Sequence, residues 1–302
     1  MAPSSGLADV MSGWREGVEA RKPCGHAGHV PWRTGLLVLL VLALTGCHYF
    51  VRPPAAVRAT QVTPFSIAAP GGDWPGGWHM EAVPKLRKPS SFRLVEYGGT
   101  TVVEGTADAS ASGLVQLLDI DPYERPILTW RWKVTQPVAG ADTTRPEGED
   151  APVRVMVSFA GDVGSLPFSD RLFFQQAKAL TGIEVPYVTL EYVWGGGAPE
   201  ETVVVNSYTP RIRLILARSG PYPLDEWVTE SRDVVADFRR AFGEEPGRVT
   251  GIAIYTDADA TGTRSQGYFG DIAFLTRGQA QLRTAAEKNG GPVPGDPGAS
   301  TH

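Results

Sequence analysis

The stretch ILTWRWKV, residues 127–134, decides the fold. Leu128, Trp130, Trp132 and Val134 take alternate positions, with Thr129, Arg131 and Lys133 between them. Side chains of a strand point to opposite faces with period two, so the segment reads as a strand with one aromatic and aliphatic face and one charged face. A face carrying two tryptophans must be covered by a second apolar layer, and the neighbouring runs supply it. VRVMVSF (153–159) repeats the alternation; VTLEYVW (188–194), TVVV (202–205), RIRLILA (211–217), VTGIAIY (249–255) and GYFGDIAF (267–274) follow. Upstream, SFRLVEY (91–97), TTVVEGTA (100–107) and SGLVQLLD (112–119) predict a meander turning at Gly98-Gly99.

Only two segments carry helix punctuation. SDRLFFQQAKALTG (169–182) opens on Ser169 as cap and stops at Gly182; RDVVADFRRAFG (232–243) has Asp233 as cap and Gly243 as stop. Many strands, two short helices and no strand-helix alternation predict an all-β fold, an antiparallel β-sandwich of jelly-roll type, over residues 65–276.

The ends read differently. RTGLLVLLVLALTGC couples a basic Arg33 to an apolar run, Leu36 to Leu44, that is too short to span a bilayer. Leu44-Thr45-Gly46-Cys47 resembles a lipoprotein signal, cut before Cys47, which then carries the lipid; His48 in place of an inner-membrane retention Asp points to the outer membrane, on its periplasmic side. Residues 1–46 are thus expected to be an extension plus signal peptide, within which Val30 is a candidate start, and the Pro- and Ala-rich 47–64 a tether. The segment 277–302, rich in Gly, Pro and Ala, is expected to be a disordered tail.

Charge and residue counts exclude much. The chain has 28 Lys+Arg against 33 Asp+Glu, and removing 1–46 leaves it acidic, so neither nucleic acid nor a polybasic hold on anionic lipid is expected as a partner. Beyond Cys47 only His48, His79 and His302 remain, too few for a histidine-based triad or a zinc site, and no glycine-rich phosphate loop points to a nucleotide cofactor.

LTWRWKV, EDAPVRVMVSF, LEYVWG, WVTESRDVVADFRRAFG and GIAIYTDADATGTRSQGYFGDIAF, in this order, resemble the bacterial secreted family catalogued as domain of unknown function 3047. The resemblance covers Trp78 to Phe274 and implies an extracytoplasmic β-sandwich, similar to galactose-binding and carbohydrate-binding jelly rolls, with no established activity. Ala260 stands where the family's final loop tends to carry Asn, and the acidic pair before the proline is Glu149-Asp150.

Three sets of candidate residues follow. Asp257, Asp259 and Thr261 match alternate positions of a calcium loop but lack its closing Glu; with Asp271 folded back from the next strand they would hold a structural calcium, and without it they form an acidic hairpin turn. If 127–134, 153–159, 188–194 and 211–217 share a sheet, Arg131, Arg154, Glu191 and Arg213 share its outer face, suited to an envelope glycan. Trp74 and Trp78, in a Gly- and Pro-rich run, are candidates to stack on sugar rings, whereas Trp130, Trp132, Trp194 and Trp227 are expected in the core. Three functions stay open: a lipid-anchored glycan binder, a glycan-cleaving hydrolase using two of Asp257, Asp259, Asp271 and Glu191, and a protein-binding scaffold.

Overall fold

A computed structural model describes residues 58–81, 88–181, 185–207, 209–220 and 223–288. The signal segment, Cys47 and the first part of the tether lie outside these residues.

The described residues form a jelly-roll-type sandwich of two sheets. One sheet holds β1 (Trp78–Glu81), β4 (Ala111–Ile120), β11 (Val249–Asp257), β6 (Val153–Phe159), β7 (Val188–Gly195), β9 (Ile212–Ser219) and β8 (Val203–Val205), in that order. The other holds β10 (Val228–Asp233), β5 (Ile127–Gln136), β12 (Arg264–Leu275), β3 (Thr100–Asp108) and β2 (Ser91–Tyr97). Among these strands every neighbouring pair is antiparallel except one within the larger sheet: β9 inserts between β7 and β8 and runs parallel to β7.

The alternation of ILTWRWKV translates directly into packing. Leu128, Trp130, Trp132 and Val134 are all buried, and from the facing sheet Val153, Val155, Val157, Leu190, Tyr192 and Trp194 meet them. Trp130 packs edge-on to Trp132 at 5.2 Å and lies 5.0 Å from Tyr192. Each such fully buried large side chain contributes on the order of 2–3 kcal/mol of burial.

Trp227 departs from expectation. It precedes β10 and is only half-buried, outside the core. The sandwich also begins before residue 65: Ala59 bridges Leu118, and Val62 is buried in the core, so the end of the expected tether is part of the domain.

Among the described residues there are three α-helices where two are expected. The first is α1 (Phe168–Thr181), in which Ser169 lies inside the first turn. The second, α2 (Val234–Phe242), matches its signals: Asp233 accepts from the Ala236 N–H, and Gly243 closes it in the left-handed region, φ 68°. Its inward Asp237 accepts from the Tyr192 hydroxyl at 3.1 Å, from Arg232 at 2.9 and 3.1 Å and from Arg240 at 3.2 Å, while Arg232 also grips Glu201 at 2.6 and 2.9 Å. The third, α3 (Arg277–Lys288), corrects the expectation of disorder from residue 277; QAQLRTAAEK is made of good helix formers, and Thr276 accepts the Gln279 N–H at its start. Residues 289–302 lie outside the described residues.

Candidate functional site

Two clusters stand out, one on the outer face of each sheet. Cross-strand partners share a face, so the register Lys133↔Tyr268↔Glu104↔Arg93 lays a row across four strands of the smaller sheet, on the side away from Trp130 and Trp132. Lys133 is almost fully buried there. Its ammonium bonds Asp225 at 2.8 Å and lies 3.8 Å from the Tyr97 ring centre, 4.8 Å from Tyr268 and 5.9 Å from Trp227. Burial alone would lower its pKa, but the hydrogen bonds to Asp225 and Tyr97 outweigh it and raise the value, so the lysine stays charged beneath the rings.

The rings contact one another as well. Tyr97 meets Trp227 edge-on at 5.7 Å and Tyr268 at 5.8 Å. Glu104, buried, accepts from the Tyr268 hydroxyl at 3.0 Å and from Gln266 at 2.7 Å, and pairs with Arg93. Burial and the Glu104 charge push the Tyr268 phenol up to about 12, which keeps it a donor. Tyr97 is 39% exposed, and Tyr268 and Trp227 are half-buried, so the cluster presents aromatic surface to solvent over a fixed polar foundation. Arg131 completes it, its guanidinium 4.8 Å from the Trp227 ring centre.

On the larger sheet the centre is Arg154, with side-chain exposure of 4%. It donates to Asp257 through Nε at 3.1 Å and Nη2 at 3.0 Å, to Glu191 at 3.1 Å and to the Glu149 carbonyl at 2.8 Å. Asp257 also accepts from the Ala151 N–H at 2.8 Å; Asp150 accepts from the Ala260 and Thr261 N–H groups at 3.2 and 2.7 Å. Burial raises the Asp257 carboxyl to about 7, Arg154 opposing and the Asp150 charge reinforcing, and burial likewise raises Glu191. Arg154 itself is held firmly protonated by its carboxylates. The acidic turn is thus laced to the segment before β6.

The expected calcium set is rearranged. Asp271 accepts from the Ser66 N–H and hydroxyl; it stands seven residues beyond Arg264 in β12, and at about 3.4 Å per residue the strand carries it well away from the loop. The Thr261 hydroxyl pairs with that of Thr263. Asp150 joins Asp257 and Asp259 instead, with carboxylate oxygens within 4.8 Å of one another. As a cation shell the trio fits poorly, since Asp150 and Asp257 already receive backbone donors and the Arg154 guanidinium is bonded to Asp257.

The expected charged row is corrected too. Arg131 lies on the smaller sheet, because the connection 137–152 carries the chain from β5 across to β6. Arg154 and Glu191 do meet on one face, but buried. Arg213 pairs in register with Leu190 rather than Glu191, donates to the Pro210 carbonyl and lies 5.7 Å from the Phe242 ring. Trp78 is buried against Phe65 at 4.7 Å, its indole N–H bonded to the Thr63 carbonyl, so it offers no open stacking face, while Trp74 packs half-buried on the same core. Sequence reading missed Tyr97, Trp227 and Tyr268; the signal was present, since alternation sets Tyr268 opposite Phe269, on the side of Arg131 and Lys133.

No curated protein matches the chain. Among solved structures, it is similar to the family 11 carbohydrate-binding module of a cellulosomal cellulase from Clostridium thermocellum, at 10% identity and a TM-score of 0.34 over 68% of this chain and 92% of that one. It is likewise similar to a variant family 29 carbohydrate-binding module complexed with cellulohexaose, at 14% identity and a TM-score of 0.29 over 72% and 92%. The sequence pattern described as Protein of unknown function (DUF3047) matches residues 76–273, from the turn before β1 to within two residues of the end of β12. That span holds both clusters and every described strand, and the chain belongs to this family of unknown function.

Proposed function

We propose that the protein is an envelope lipoprotein, anchored in the outer membrane through Cys47, whose sandwich binds carbohydrate without chemistry on it. The observation that carries the binding reading is the outward cluster of Tyr97, Trp227 and Tyr268 around the buried Lys133. Aromatic faces take the apolar faces of sugar rings, and preset polar groups beside them fix orientation at low entropic cost.

A glycan array probed with the full-length protein tests this. The wild type should be retained on at least one glycan class, and Trp227→Ala should weaken retention by at least about 30-fold, as loss of a central anchor does. Binding unchanged in both Trp227→Ala and Tyr97→Ala would sink the reading. The anchor has its own assay: Cys47→Ser should move the protein from the detergent phase to the aqueous phase on partition, and a variant that stays in the detergent phase would remove Cys47 as the lipid site.

Glycan cleavage is less well supported. It needs two carboxyl groups about 5 Å or 6.5–9.5 Å apart across an open cleft. Glu191 and Asp257 are instead buried on Arg154, and Asp271 is spent on Ser66. The scaffold reading predicts a silent array.

A further inference from the structure

The cations of the aromatic face are not equally satisfied. Lys133 has Asp225, and Arg93 has Glu104. Among the described residues the Arg131 side chain has no carboxylate partner and no hydrogen bond, and its polar contact is with the Trp227 ring. It is nevertheless held in place. At Gly270 an added Cβ would come within 2.5 Å of both Cγ and Nε of Arg131, so the missing side chain is the seat on which the arginine lies. Gly270 occupies that spot because of the β12 irregularity between Phe269 and Ile272.

A guanidinium fixed between a glycine seat and an indole has lost much of its freedom before any ligand arrives, yet keeps its planar fork of donors unspent. That fork matches a carboxylate in two parallel hydrogen bonds. We propose that the face recognises a carboxylated glycan, of the uronic-acid class, with a sugar ring on Trp227 and Tyr97 and its carboxylate on Arg131. The inference rests on the aromatic face being the glycan platform, and it adds the sign of the ligand's charge. It also accounts for a cation left unpaired on a chain with excess acid.

The test is affinity electrophoresis of the full-length protein through gels containing polygalacturonate, alginate or hyaluronate, each beside its carboxyl-reduced form. At least one acidic polymer should retard the protein, and reduction of its carboxyl groups should weaken binding at least about tenfold. Arg131→Gln should bind parent and reduced polymers equally and melt at the wild-type temperature, since no ion pair is lost. Gly270→Ala, which displaces the guanidinium, should show the same loss of preference. Equal retardation by parent and reduced polymers, or a preference that survives Arg131→Gln, overturns the carboxylate assignment while leaving the platform standing. Retardation by no polymer in either form overturns both.

Discussion

Arg154→Met should lower the free energy of unfolding by about 3–5 kcal/mol, read from urea denaturation at neutral pH. Methionine replaces most of the buried volume, so the loss comes from Asp257 and Glu191, left without the guanidinium that both now share. Adding Glu191→Leu should restore part of it, because an apolar pair no longer confines an orphan charge. The penalty should also depend on pH. With Asp257 raised from 3.8 to about 7 in the folded state, its own contribution is present in full below about 3.8 and is lost as pH rises through about 7. Protonating Asp257 and Glu191 relieves the variant, so the gap from wild type should narrow from pH 8 to pH 5. Millimolar calcium should raise the melting temperature of Arg154→Met and leave that of the wild type unchanged, since removing the guanidinium opens Asp150, Asp257 and Asp259 to a hard cation. A loss under about 1 kcal/mol, or calcium stabilisation of the wild type, would mean that Arg154 is not the keystone of this cluster.

Asp237→Ala should cost about 2–3 kcal/mol. Asp237 is the acceptor through which α2 is fixed to the sheet. Among the described residues, its loss leaves the fully buried Tyr192 hydroxyl without a hydrogen-bond partner and leaves Arg232 with Glu201 as its one carboxylate. Burial and the Asp237 charge raise the Tyr192 phenol well above its ordinary value, so the hydroxyl stays protonated and cannot adapt by ionising. A cycle with Tyr192→Phe isolates the hydroxyl: the double variant should lose clearly less than the two single losses combined, and strict additivity would exclude the contact as a source of stability. Acid acts separately on the exposed half of the network. Hydrogen bonding to Arg232 draws Glu201 down to about 2, so its contribution is present above about 4.5 and is lost as pH falls through about 2.

Alternation carried most of the strands because their inward positions are apolar, and both segments flanking the acidic turn are strands as expected. β10 escaped the same reading for a physical reason. Its segment VTESRD places Glu230, not a hydrocarbon, at a buried position, made tolerable by Arg218 at 2.7 Å. An edge strand completed by a buried ion pair has no hydrophobic period to detect. Sheet membership was illegible for another reason. β5 and β6 are neighbours in sequence and carry the same pattern, but only the path of 137–152 decides that they face each other rather than pair.

The candidate sites follow the same division. That Arg131 points away from the core was legible from its neighbours; its tryptophan partner, 96 positions along the chain, was not. Asp271 does not fold back to the turn because β12 runs unbroken from Arg264 to Leu275 and carries it to Ser66. Asp150 was passed over because its role depends on the amides of Ala260 and Thr261, which no local spacing brings together.

The parallel insertion of β9 also sets which margins of the larger sheet are left outermost. By sliding between β7 and β8, the eight-residue β9 spends both of its hydrogen-bonding margins inside the sheet, and the margin left outermost is the three-residue β8. At the opposite border stands the four-residue β1. Neither offers an incoming chain a ladder long enough to template on, so the larger sheet closes itself to strand addition by brevity rather than by charge. The longer borders belong to the smaller sheet, at β2 and β10, and any self-assembly through strand edges would begin there.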